Sequence, residues 1–197
     1  MPPLLVRNFI VPFSFLLMRK RREERQDRRV ERRGGTPPTR YQMREKLLSI
    51  GQDSYIEDAS GQKVFHVDGK VMRIRDTLFF KDMQGNTLAK IQEKMLRIRD
   101  TMAIEGPDGE HLATVKKALI TPLRERWVAK VGDGPDLDVQ GNIVDHEYTI
   151  KAGRHKVAEV SKRWFRVRDT YGVEIEPGQN DIVILAITVA VDMMRKQ

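Results

Sequence analysis

An internal repeat constrains the fold of this chain more than any other feature. The octapeptide KVMRIRDT at residues 70–77 returns as KMLRIRDT at residues 94–101, and its core returns again as FRVRDT at residues 165–170. Agreement between the first two copies continues downstream into a glycine and a Leu-Ala pair. A unit of about two dozen residues fits one strand–turn–strand module used repeatedly, and it is too short for a repeat of paired helices.

Turn residues divide the chain from Tyr41 onward into short segments rich in β-forming residues. Such segments flank Ser60-Gly61, the stretch from Asp82 to Asn86, and the GPDG sequence at residues 106–109. Turn dipeptides between two β-prone runs are strong local signals of a hairpin. Short strands at spacings of roughly ten residues favour a β-sandwich or β-barrel, so we predict a mainly β domain.

The C-terminal segment differs from everything before it. Pro177-Gly178 ends the strand region, Asn180 or Asp181 can cap a helix, and a nearly continuous apolar run follows over residues 182–194. A helix that is apolar on all sides is either buried or in a membrane. About thirteen residues span roughly 20 Å, short of the roughly 30 Å hydrocarbon core. We therefore predict a buried helix; a buried strand is the alternative for a run so rich in β-branched residues.

The net charge of +8 is carried almost entirely by the N-terminal segment. Residues 1–40 contain 11 Lys/Arg and 4 Asp/Glu, a net charge of +7, whereas residues 41–197 contain 25 and 24, a net charge of +1. A DNA-binding domain is expected to concentrate its positive charge on the folded part. Nucleic acid is therefore not expected as a ligand of the folded domain, although the tail could contact it as part of a tethered regulator.

Residues 1–40 are predicted to be a basic, largely disordered extension and linker, followed by one folded domain over residues 41–197. The apolar stretch at residues 4–18 is shorter than the about 20 residues that a spanning helix needs, so no transmembrane span is expected. It also precedes a basic cluster, whereas the basic residues of a signal peptide come first. Gly and Pro residues between positions 34 and 38 then break any regular structure.

The basic cluster of the tail is a candidate electrostatic anchor for an anionic membrane surface. In that interpretation the apolar stretch enters the interface and the cations hold the headgroups. Charge runs usually face solvent, so a solvated tail is the favoured interpretation, and a gene start placed too early, with initiation nearer Met43, is another. The candidate anchor consists of Arg19, Lys20, Arg21 and Arg22.

Each copy of the repeated motif contains two arginines separated by one residue. On a strand these side chains share one face, where paired cations could hold phosphate headgroups. The favoured interpretation is a repeated corner, in which the arginine pairs with the aspartate of the motif and the isoleucine packs inward; copies spread around a β structure need not converge. The candidate headgroup contacts are Arg73, Arg75, Arg97, Arg99, Arg166 and Arg168.

Several segments occur together in one order along the chain. They are the repeated Arg-x-Arg-Asp-Thr, KALITPLRER at residues 117–126, DHEYTI at 145–150, AEVSKRWF at 158–165 and the apolar C-terminal run. Together they resemble the LURP-one-related (LOR) proteins of the tubby C-terminal-like superfamily, with phospholipid scramblases as more distant relatives. The resemblance covers residues 41–194 and implies a closed antiparallel β-barrel of about twelve strands around a buried hydrophobic C-terminal α-helix.

The resemblance implies less about function than about fold. Most LURP-one-related proteins have no established activity, and plant members are linked to pathogen defence. Tubby proteins bind phosphoinositides through a Lys/Arg pair, and scramblases involve calcium and lipid. The tubby lipid pair does not align residue by residue with this sequence, so it is not transferred to any residue here.

We predict no catalytic, cofactor-binding or metal site. The chain has no cysteine, which fits a reducing cytosolic compartment, and its four histidines are scattered. His146 lies between two carboxylates, but neighbours on a strand point to opposite faces, so a structural or surface histidine is favoured. The acidic loop at residues 133–138 lacks the EF-hand order of ligands and is interpreted as a solvated turn. Phosphate-loop, dinucleotide-binding and nucleophile-elbow motifs do not occur.

The sequence thus predicts a non-enzymatic LURP-one-related barrel that binds an anionic phospholipid or an unidentified protein. We expect it in the cytoplasm, with peripheral association at the membrane. Alternatives are a tethered regulator that contacts nucleic acid through the basic tail, and an enzyme with an unrecognised pocket. A barrel filled by its own helix leaves little concave space for a substrate, which disfavours the enzyme.

Overall fold

The computed structural model describes residues 25, 27–28, 34–44, 54–71, 76–94, 101–118, 126–164 and 169–195. The chain divides into two compact units, Met1–Pro37 and Pro38–Gln197. No helix among the described residues is long and apolar enough to cross a bilayer. The first β-strand begins at Thr39, two residues before the start that the sequence predicts for the folded domain.

The second unit is built from twelve β-strands and a C-terminal α-helix. A short 3-10 helix at Lys162–Trp164 follows the eleventh strand. The elements are β1 (Thr39–Arg44), β2 (Ser54–Asp58), β3 (Lys63–Val71), β4 (Asp76–Asp82), β5 (Thr87–Glu93), β6 (Thr101–Glu105), β7 (His111–Lys117), β8 (Arg126–Val131), β9 (Leu137–Asn142), β10 (Glu147–Ala152), β11 (His155–Ser161), β12 (Thr170–Ile175) and α1 (Asp181–Arg195).

The strands form a closed barrel in sequence order. Each strand pairs antiparallel with its neighbours in the chain, and β1 pairs with β12 to complete the ring. The closing register places Tyr41 opposite Val173 and Met43 opposite Tyr171. This confirms the predicted mainly β class and the closed antiparallel barrel of twelve strands. Because the ring is closed, none of the described strands is left as an unpaired edge, and unpaired edges make open sheets prone to aggregation.

Antiparallel pairing around the ring gives the barrel two distinct ends. Odd-numbered strands all finish at one end, where even-numbered strands begin. All three copies of the repeated motif fall at this end: between β3 and β4, between β5 and β6, and between the 3-10 helix and β12. We name it the repeat end, and we name the opposite end, which carries the short hairpins, the turn end. The strands that flank the three copies therefore meet at one end, although the sequence did not require it.

Three hairpins at the turn end share one turn geometry. Gly61, Gly85 and Gly109 have φ angles of 85°, 89° and 81°. Their amides each donate to the carbonyl three residues earlier, at 3.0, 3.2 and 3.1 Å. A left-handed residue closing a four-residue turn is characteristic of glycine, which adopts this φ without a Cβ clash. The predicted hairpins at these positions are confirmed.

Helix α1 fills the lumen of the barrel. The side chain of Asn180 caps it, since Asn180 Oδ1 accepts a hydrogen bond from the Val183 amide at 3.2 Å. Asp181 at the first turn accepts a hydrogen bond from the Tyr41 hydroxyl at 2.6 Å, which joins the helix to β1. Every residue from Val183 to Asp192 is buried. Burial of an aliphatic side chain contributes about 1.5–3 kcal/mol, so the all-round apolar composition is explained by the surrounding strands. The predicted buried helix is confirmed.

Charged side chains on the outer wall pair across neighbouring strands. Four described pairs are Arg40–Glu174, Lys81–Asp68, Lys90–Glu105 and Arg126–Asp138. Lys156 Nζ lies 3.1 Å from Glu159 Oε2, 3.6 Å from Glu174 Oε1 and 3.0 Å from Glu176 Oε1. Such surface pairs each contribute little stability, but they balance the charge of the wall.

Candidate functional site

The two ends of the barrel differ in charge. The repeat-end connections (residues 45–53, 72–75, 94–100, 118–125, 143–146 and 162–169) contain eleven Lys/Arg and six Asp/Glu. The turn-end connections (residues 59–62, 83–86, 106–110, 132–136, 153–154 and 176–180) contain one arginine and five Asp/Glu. The near-neutral total of the folded domain therefore combines one set of connections that is basic in sequence with another that is acidic. Charge separated in this way orients a protein in the field of a charged partner.

The two ends also differ in apolar content. The repeat-end connections contain sixteen large apolar residues, whereas Met83 is the one large apolar residue of the turn-end connections. Apolar residues can cover the open end of a barrel core, and Ile143 at the repeat end is fully buried. The neighbouring Val144 points outward and is 58% exposed. Cationic side chains beside exposed apolar ones are typical of surfaces that bind a membrane interface.

The six motif arginines and the four cations of the tail lie outside the described residues. The structure describes the strands that flank the motif arginines, and these strands meet the repeat end. The motif threonines Thr77, Thr101 and Thr170 each stand at the start of an even-numbered strand and are buried. Thr77 Oγ1 accepts a hydrogen bond from Gln92 Nε2 at 3.3 Å. The threonine of the motif thus has a structural role, and the headgroup role of the arginines stays a prediction.

The Glu147 carboxylate holds the end of β11 and the first residues that follow it. Its oxygens accept hydrogen bonds from the Ser161 hydroxyl at 2.9 and 3.1 Å. The Lys162 and Arg163 amides donate to the same carboxylate at 3.1 and 3.3 Å. The Arg163 side chain, 80% exposed, passes 3.4 Å from it. Glu147 is therefore a capping group for the 3-10 helix, and its position leaves the Arg163 guanidinium largely in solvent at the repeat end.

A buried polar cluster lies inside the barrel near the repeat end. His146 Nε2 lies 3.1 Å from Asp192 Oδ1 and 3.2 Å from Oδ2. The Tyr171 hydroxyl donates to Asp192 Oδ2 at 2.6 Å, and the Tyr171 ring stacks on the His146 ring at 4.1 Å. Burial and the neighbouring Asp192 carboxylate raise the pKa of Tyr171 and of Tyr148 well above the usual value for a phenol. Both hydroxyls therefore stay protonated at neutral pH.

The sequence analysis placed His146 on a β-strand, and this placement is wrong. In the structure His146 closes the β9–β10 turn with φ 52°, and β10 begins at Glu147. Its acidic partner is Asp192 of α1. The side chain of Asp145 is bonded instead to Asn142. One signal was available: Asp192 interrupts an otherwise apolar helix, and a buried carboxylate requires donors from elsewhere in the fold.

The buried cluster contains residue types that are found in acid–base catalytic sites, but its side chains are not accessible to a substrate. His146, Tyr171 and Asp192 are at most 1% exposed, so they do not contact solvent. The cluster joins the β9–β10 turn, β12 and α1 inside the core. Across the part of the chain that the structure describes, no three His, Asp or Glu residues are grouped to hold a metal ion. The loop at residues 132–136 is exposed, and Asp138 beyond it pairs with Arg126.

Comparisons with known proteins agree with the barrel architecture. The structure is similar to the X-ray structure of an Arabidopsis thaliana protein, with a TM-score of 0.59 and 17% sequence identity over 82% of this chain and 93% of that chain. No curated protein sequence matches the chain. The sequence model described as LOR, LURP-one-related, matches residues 39–192, which include all twelve strands and most of α1. The chain therefore belongs to the LURP-one-related family.

Proposed function

We propose that this protein is a non-enzymatic membrane-binding module whose repeat end faces an anionic phospholipid surface. One observation supports the proposal: the connections at the repeat end contain eleven Lys/Arg and six Asp/Glu in sequence, whereas those at the turn end contain one arginine and five Asp/Glu. In this proposal the three arginine pairs contact the lipid headgroups. An anionic surface attracts the first end and repels the second, so the barrel is expected to bind end-on.

The magnitude of the expected attraction is sufficient for reversible binding. Each Lys or Arg near an anionic leaflet contributes about 1 kcal/mol. The repeat-end connections have five more basic than acidic residues. The attraction falls off within a Debye length of about 8 Å at physiological ionic strength, so the proposed association is sensitive to salt. The tail cluster at Arg19 to Arg22 adds a second, separable source of positive charge in this proposal.

Vesicle sedimentation tests the proposal directly. The full chain is mixed with vesicles of phosphatidylcholine alone or with phosphatidylserine, at low and at raised salt. We expect it to pellet with the anionic vesicles only, and raised salt to release it. A chain that begins at Pro38 measures the contribution of the tail. Equal pelleting with neutral vesicles, or none with anionic ones, would contradict the proposal and favour a protein partner.

Paired charge variants locate the binding end. Arg73→Ser combined with Arg75→Ser removes two cations from the repeat end, and we expect at least a tenfold loss of affinity from about 1 kcal/mol per cation. The matched control, Lys130→Ser combined with Arg154→Ser, removes two exposed cations away from the repeat end, one near the end of β8 and one in the β10–β11 turn, and should leave affinity nearly unchanged. Equal losses in the two variants would exclude end-on binding. Loss of binding to a DNA duplex on deletion of the tail would instead favour the tethered regulator.

A further inference from the structure

We propose that the β9–β10 turn, residues 143–146, is a rigid apolar wedge that enters the membrane interface through Val144. The inference rests on the proposed membrane function and assigns it a specific penetrating residue. The end of the central helix α1 holds the turn in place. The predicted occupant of this surface is an anionic phospholipid bilayer.

Val144 is distinguished by its location. Two large apolar side chains among the described residues are markedly exposed: Val144 at 58% and Met83 at 43%. Single exposed apolar residues are common, so exposure alone has little meaning. Val144 lies in a connection at the repeat end, and the next connection around the ring, between β11 and β12, carries one of the three motif copies; Met83 lies at the acidic turn end. Val144 is therefore the candidate membrane contact, and Met83 is the control position at the opposite end of the barrel.

Local hydrogen bonds fix the conformation of the turn. Asn142 Oδ1 accepts a hydrogen bond from the Asp145 amide at 3.1 Å, and Asn142 Nδ2 donates to Asp145 Oδ2 at 2.7 Å. The His146 amide donates to the Ile143 carbonyl at 3.1 Å. Ile143 and His146 point into the core, so Val144 and Asp145 form the tip. The Asp145 carboxylate opposes an anionic surface, and the hydrogen bond from Asn142 partly offsets its charge.

The last turn of α1 holds the β9–β10 turn from inside the barrel. Arg195 Nη1 donates to the Val144 carbonyl at 2.6 Å and brings a cation beside the tip. Asp192, one helical turn earlier, pairs with the His146 side chain. His146 keeps a left-handed φ of 52°, which is uncommon outside glycine and persists only where the surroundings determine it. These contacts hold the backbone of Val144 in one conformation. Less conformational entropy is therefore lost when the turn binds a membrane.

The absence of cysteine from the sequence allows a direct test. Val144→Cys and Met83→Cys are each labelled with a nitrobenzoxadiazole probe in the full chain and mixed with phosphatidylserine–phosphatidylcholine vesicles. We expect a blue shift and a several-fold rise in emission for the probe at position 144, and no change at position 83. If the emission of the probe at position 144 does not change although the chain pellets with the vesicles, Val144 does not enter the interface, and the proposed membrane binding still holds. If no chain pellets, both the membrane binding and the Val144 contact are contradicted.

Unlabelled variants give an independent measure of the same contact. Val144→Gln should weaken binding to anionic vesicles by roughly tenfold, since each buried CH₂ changes affinity by roughly fourfold. Val144→Trp should strengthen it, because indole rings favour the interface. Met83→Gln and Met83→Trp are the matched controls and should bind like the natural chain. Equal effects at positions 144 and 83 would show a non-specific hydrophobic response and would overturn the assignment.

Discussion

Asp192 has to be stabilised by groups that the barrel itself supplies, because it lies inside the lumen at 1% exposure. Tyr171 donates to it at 2.6 Å, and His146 pairs with it from the β9–β10 turn. A buried carboxylate that loses a donor retains its desolvation penalty without compensation. Removing a donor to Asp192 should therefore destabilise the fold, because the carboxylate stays buried when the hydrogen bond is lost.

Tyr171→Phe tests this at the scale of one hydroxyl. The ring and its stacking on His146 stay, but the donor to Asp192 is lost, so we expect the free energy of unfolding to fall by about 1–3 kcal/mol. Urea denaturation at neutral pH measures the change. Tyr55→Phe makes the same chemical change on a partly exposed ring and should cost under about 0.5 kcal/mol. Equal stability of the two variants would mean that Asp192 does not depend on Tyr171.

At the scale of elements, the sequence predicted those features that depend on residues close to each other in the chain. The hairpin at Gly85 and the start of α1 at Asn180 depend on residues within one turn, and both were predictable. The pairing of β1 with β12 and of His146 with Asp192 joins distant segments, which no local pattern encodes. Closure therefore came only from the resemblance to a family. That the strands flanking the three motif copies meet at one end could be seen only from the strand order.

The start of α1 offers a test of one such local signal. Asn180→Ala removes the side-chain acceptor for the Val183 amide, and we expect a loss of about 1 kcal/mol in the free energy of unfolding. Asn180→Ser should restore most of it, because serine is also a good helix cap. Gln179→Ala, at an exposed neighbouring position, should change stability by less than about 0.5 kcal/mol. Thermal and urea denaturation both report the difference.

At the scale of the whole barrel, charge separation matters more than total charge. Strands of 5 to 9 residues, at about 3.3 Å per residue, place the two ends roughly 20 Å apart. The Debye length is about 8 Å at 0.15 M salt and about 30 Å at 0.01 M salt. A membrane at the repeat end is therefore screened from the acidic turns at physiological salt. At low salt the same turns oppose binding.

The salt dependence of binding can therefore distinguish an end-on orientation of the barrel on the membrane from a side-on one. In the end-on orientation, replacing Asp108, Asp133 and Asp136 of the exposed turns by Asn should tighten binding to anionic vesicles at 0.01 M salt and leave it unchanged at 0.15 M. Asp145→Asn at the repeat end is the comparison, and it should tighten binding at both salt concentrations. Vesicle sedimentation across a salt series measures all of these. In a side-on orientation the turn carboxylates lie within a Debye length of the lipid, so the triple variant would bind more tightly at physiological salt as well. That outcome would move the binding surface from the repeat end to the wall of the barrel, where several of the described cations are paired with carboxylates.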